Sequence, residues 1–88
     1  MKTIFFLMVQ YDSRAVIPLD LVQRDFFSHL DVKKLAAKCS SGEIRLPLVR
    51  TDPSSQKSPK GVGIQDLAAY LDDRQQTARR EMEKFIKN

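Results

Sequence analysis

Residues 20–42 read DLVQRDFFSHLDVKKLAAKCSSG, and this stretch decides the fold. Asp20 has the character of a helix N-cap, and Gln23, three residues on, completes a capping box. Leu19, Val22 and Phe26 supply the inner stripe of a short helix that ends near Ser28–His29. Asp31 then caps a second helix, with Leu30 in the staple position before it, and Gly42 stands where a helix ends on a left-handed residue. At roughly 100° per residue, Val32, Leu35, Ala36 and Cys39 fall on one arc. Lys33, Lys34, Ala37, Lys38 and Ser41 fall on the other. One side is apolar; the other is basic, with small residues between the charges.

Outward from this pair, Ile4, Leu7, Met8 and Tyr11 fall at i, i+3, i+4 and i+7, which predicts an N-terminal helix with Thr3 as cap. Phe5, Phe6 and Val9 fill its other faces, so a strand stays open there, and so much apolar surface needs a cover. Ile17, before Pro18, is pushed to extended geometry. On the far side, residues 44–50 (IRLPLVR) are strand-like, and Pro47 argues for an edge or a strand start. Residues 51–60, TDPSSQKSPK, contain no aliphatic or aromatic side chain and read as a loop. Residues 61–64 (GVGI) form a second strand, so the two strands make a hairpin with a long tip. Ile64, Leu67, Ala68 and Leu71 open a last helical stripe. Ala78, Met82 and Phe85 extend it without a glycine or proline, which predicts a helix from about Gln65 into the mid-eighties.

The order helix, helix, hairpin, helix is that of a winged helix-turn-helix. The fold class is α+β, mostly helical, with a two-stranded wing and a long C-terminal helix. We divide the chain into an apolar N-terminal helix (1–14), the winged helix-turn-helix (15–72) and a helical extension (73–88). The 88 residues suit one domain with a thin core. Apolar residues make up 42% and charged residues 30%, which suits a folded chain. The apolar run at 4–9 is too short for a signal or a membrane span. The single cysteine, Cys39, cannot make an internal bridge, which suits a reducing cytoplasm.

The net charge is +4, and its placement matters more than its size. Lys33, Lys34, Lys38, Arg45 and Arg50 face one acid, Glu43, between residues 32 and 50. The hairpin adds Lys57 and Lys60. The helix and the wing thus carry solvent-facing cations with no partner acid close by. A helix fits the major groove, where lysines meet phosphates and small residues allow close approach to base edges. No arginine on the helix can read guanine bidentately, so base reading falls to Ser40, Ser41, Gln56 and Arg50, helped by DNA shape. The expected partner is double-stranded promoter DNA, with RNA polymerase as a further contact. Two rival readings stand beside this one: an architectural, excisionase-like factor that shares the fold and the contacts and bends DNA, and a protein-interaction adaptor in which the apolar N-terminal segment and the tail helix dock a partner and the basic face is only solvated.

Chemistry elsewhere is sparse. His29 and Cys39 are lone ligand types with no acid at ligand spacing, so no metal site is expected. Asp72 and Asp73 point apart on a helix and make a poor acid–base pair. The glycines at 61 and 63 are no phosphate loop. No nucleophile–base–orienter set exists, so neither catalysis nor a cofactor is expected. Leu71, Ala78, Met82 and Phe85, with Ile86 alongside, either fold back on the core or meet a second copy in a homodimer. A dimer would enlarge the small DNA interface of one module.

The residues quoted above resemble a known family. QY at 10–11, VIPLD at 16–20, FFSHL at 26–30, GEIRLPLVR at 42–50, SQKSPKGV at 55–62 and QDLAAYLD at 65–72 are similar in type and order to pyocin activators of the PrtN type. The resemblance covers most of the chain and little of residues 73–88. It implies a small DNA-binding activator of bacteriocin or prophage-like genes that binds repeated promoter boxes. The domain is also similar to excisionase and MerR-type winged helices. The resemblance supplies no contact residues.

Overall fold

The computed structural model describes residues 2–55 and 58–86. The elements are α1 (Thr3–Gln10), β1 (Val16–Pro18), α2 (Leu19–Phe26), α3 (Val32–Ser41), β2 (Val49–Arg50), β3 (Lys60–Gly63) and α4 (Ile64–Ile86). This is an α+β arrangement of four helices and a three-stranded antiparallel sheet with a long C-terminal helix, consistent with a winged-helix-like arrangement.

The sheet has a third strand beside the expected hairpin. Its order is β1-β3-β2, all antiparallel, with Ile17 opposite Val62 and Val49 opposite Gly61. Pro18 fixes an extended Ile17 and lacks a donor, so β1 suits an edge. The central strand β3 tolerates its neighbours because of Gly61. A Cβ there would sit 2.6 Å from Val16 Cγ1 and 2.8 Å from the Ile17 carbonyl oxygen. The strand expected over 44–50 shrinks to Val49–Arg50. Before it, Leu46 turns inward and is buried, while its N–H donates to the Ile44 carbonyl rather than to a ladder. Ile64 opens α4 instead of closing β3.

The helix pair forms with its boundaries shifted. α2 starts at Leu19 after Pro18, and no side chain caps it. Asp20 lies in the first turn, where it suits the helix dipole, but it does not cap. Gln23 does not reach back either: its Nε2 donates to the Leu30 carbonyl at 2.7 Å and pins the corner. The helix stops at Phe26, two residues early, because Phe27 leaves helical geometry (φ −134°) to bury its ring. That ring lies 5.9 Å from Tyr70 and 6.3 Å from His29. α3 follows its local signals closely. Asp31 accepts the Lys34 N–H at 2.7 Å, and Gly42 takes the left-handed conformation at φ 83°.

The core gathers one or two residues from each layer. Ile17, Val22, Leu35, Val62 and Leu67 are fully buried, and Leu46 almost so. Leu7 of α1 and Tyr11, just past its end, belong to the same cluster. Thr3 lies inside α1 rather than capping it, and its hydroxyl donates to the Asp72 carboxylate on α4. At the other end of α1, the buried Tyr11 donates its hydroxyl to Asp25 Oδ2 at 2.6 Å. Arg24 Nε and Gln10 Nε2 meet the same carboxylate at 2.8 and 3.2 Å. The Arg24 and Tyr11 bonds hold the Asp25 carboxyl down at about 2, and burial pushes the Tyr11 phenol up.

Candidate nucleic-acid interface

α3 is seated by one residue. Leu35 is fully buried, with Ala36 and Cys39 half-buried beside it. Val32, expected on the same apolar side, is 38% exposed, so the buried stripe is narrower than the wheel suggests. The remaining arc lies open: Lys33, Lys34, Ala37, Ser40 and Ser41 are all exposed. Partial burial raises the Cys39 pKa, which disfavours the nucleophilic thiolate.

The cations of this face are not equivalent. Lys38 has the partner acid that the sequence reading denied it, since its Nζ lies 2.9 Å from Glu43 Oε2. The turn at Gly42 swings Glu43 back towards the last turn of α3, a proximity that helical spacing alone does not reveal. Lys33 and Lys34 make no ion pair among the described residues. Both sit in the first turn of α3, which contains no acid. Ser41 spends its hydroxyl on the helix end, donating to the Lys38 carbonyl at 3.1 Å. Ser40 keeps a free hydroxyl among the described residues. Arg45 lines a hollow of about 440 Å³ with Glu43, Tyr70, Asp73 and Arg74 of α4.

The described part of the 51–60 loop is tied by side-chain hydrogen bonds near its base. Asp52 Oδ1 accepts both the Ser54 N–H (3.1 Å) and the Ser54 hydroxyl (2.6 Å), which holds its carboxyl below the usual range. Ser58 Oγ accepts the Asp52 N–H at 2.9 Å and lies 3.1 Å from Thr51 Oγ1 across the loop. The Asp-Pro-Ser-Ser order at 52–55 is the sequence signal for such a turn, which loop composition alone does not reveal. Gln56 and Lys57, both proposed contacts, lie outside the described residues. At the base, Arg50 and Lys60 are direct partners across the β2–β3 ladder. Neither is ion-paired among the described residues. Their juxtaposition depends on strand register, which the sequence reading did not assign.

The described residues contain no group of three His, Cys, Asp or Glu side chains placed to hold a metal ion. No described helix is long and apolar enough to cross a membrane. No curated protein and no solved structure gives a significant match to the chain. A family model does: that of pyocin activator protein PrtN aligns with residues 3–78, from the first helix through the wing and most of α4. The chain therefore belongs to the pyocin activator protein PrtN family, a regulatory family with a role in activating pyocin genes.

Proposed function

We propose that the chain acts on its genes by binding promoter DNA directly, with α3 in the major groove and the 51–60 wing on the flanking backbone. The observation that carries this reading is that cations stand where the folded chain alone disfavours them. Lys33 and Lys34 put two positive charges at the positive end of the α3 dipole, against the single Asp31 carboxylate of the cap, where acids are preferred by a few tenths of a kcal/mol each. Arg50 and Lys60 face each other across a ladder, where like charges are destabilising. A phosphate at either place reverses the sign of the interaction. A solvated surface with no anionic partner gives no reason for both arrangements.

In this reading Lys33 and Lys34 neutralise phosphates beside the groove, while Ala37 and Ser40 allow α3 to approach base edges. Arg50 and Lys60, with Lys57, follow the backbone next to it. Lys38 contributes only by exchanging Glu43 for a phosphate. Ser41, Arg45 and Gln56 stay as secondary contacts. With one phosphate neutralised by each of Lys33, Lys34, Arg50 and Lys60, the log–log salt dependence of binding has a slope of about −3.6 per chain, at −0.9 for each. The test is selection of bound duplex from a random pool, followed by affinity on the selected site across a salt series. Salt-sensitive binding to a recurring sequence is expected. Failure to enrich any duplex, or binding indifferent to salt, overturns the proposal.

A further inference from the structure

α1 and the end of α4 each leave an apolar face uncovered. On α1, Phe5, Phe6, Met8 and Val9 are exposed, Val9 at 82%. Leu7 and Tyr11 take the opposite side into the core. No residue of α1 is charged, so its outer face can be covered without stripping water from an ion. On α4, Met82, Phe85 and Ile86 are exposed, Phe85 at 81%. They continue the stripe of Leu67, Ala68 and Leu71 in helical phase, past the point where the core ends. A helix surrounded by water has no use for an apolar stripe kept in phase.

The tail cannot cover its own α1. The start of α1 lies beside Asp72, Gln75, Gln76 and Arg79. From there α1 runs back to the core, where Leu7 and Tyr11 are buried. Residues 80–86 run the other way, for about 10 Å at the helical rise. With no glycine or proline between 64 and 86, α4 has no kink to turn it round. A second copy removes the difficulty: under a two-fold axis each tail can lie on the other chain's α1. The areas agree. The two faces together expose on the order of 800 Å² of apolar residue surface per chain, what one partner buries in a standard interface; either face alone falls well short. The outer face of α1 also holds a hollow of about 520 Å³, lined by Phe5, Met8, Val9, Asp12 and Ser13, that can receive an aromatic ring.

We propose that the outer face of α1 is the seat for the α4 tail of a second copy, so that two chains exchange tails in a reciprocal dimer. The proposal is independent of DNA binding and is tested on the full chain without DNA. Sedimentation equilibrium up to about 100 μM, a range that detects micromolar association, should show a dimer. Val9→Glu and Phe85→Glu should each weaken it at least tenfold, with the helical circular dichroism unchanged because both side chains are outside the core. In a Cys39→Ser background, Val9→Cys chains mixed with Phe85→Cys chains should form the mixed disulfide in preference to either homodisulfide. A chain that stays monomeric, a dimer indifferent to Val9→Glu, or Phe85→Cys chains that cross-link chiefly to themselves would overturn the tail-on-α1 exchange.

Discussion

α1 and α3 are short helices anchored in the same way and finished in opposite ways. Each buries one leucine, Leu7 or Leu35, in a single core. The outer arc of α1 is uncharged and carries Phe5, Phe6 and Val9; the outer arc of α3 carries Lys33, Lys34 and small residues. The anchoring says nothing about function, because it is the same. The difference lies in what is left outside: one face suits an apolar partner, the other a polyanion. The two helices also differ in what makes them helical. α3 has a side-chain cap at Asp31 and a left-handed glycine at its end. α1 has no side-chain cap and is held by bonds to other elements, Thr3 to Asp72 and Tyr11 to Asp25.

The shared anchoring gives the largest expected effects. Leu35→Ala and Leu7→Ala should each cost about 3 kcal/mol in urea unfolding, because both leave a cavity in a thin core. A loss below about 1 kcal/mol for either would mean that helix is not seated as described. Tyr11→Phe comes next. It keeps the buried ring and removes one bond to a charged carboxylate, so about 1.5 kcal/mol should be lost. Asp31→Ala should cost about 1 kcal/mol through the α3 cap. No single cap substitution has an equivalent in α1, which sharpens the contrast between local and tertiary support.

A smaller, pH-dependent effect follows from Asp25. Its carboxyl titrates at about 2 in the folded chain, below the unfolded value of about 3.9. Its contribution is therefore complete above the unfolded value and is lost as pH falls through the folded one. Asp25→Asn should flatten the acid limb of the stability profile between roughly pH 4 and pH 2. A wild-type profile that is already flat there would remove the Tyr11–Asp25–Arg24 cluster as the tie between α1 and α2.

The same contrast explains what was legible in the sequence. α3 could be read down to its caps because Asp31, Gly42 and the wheel of Leu35 are local signals. α4 was legible for a similar reason, being a long stripe without a breaker. The α2 boundaries went astray because Phe27 leaves the helix for a place in the core and Gln23 serves the corner instead of a cap. Such tertiary demands override local preference. β1 was missed as a strand because three residues ending in proline carry little pattern of their own; they pair only because Gly61 lets them close on β3. At the candidate interface, the lysines of α3 were legible and their inequality was not. Lys38 is claimed by Glu43 through a turn, and Arg50 meets Lys60 through a register that only the fold sets.

The most direct measurement is the salt dependence of DNA binding by the chain and by its Lys33→Ala/Lys34→Ala variant on the same selected duplex. With two phosphate contacts removed, the slope should flatten by about 1.8, while the urea midpoint stays within the small range of surface substitutions. An unchanged slope would mean that the lysine face of α3 does not lie on DNA.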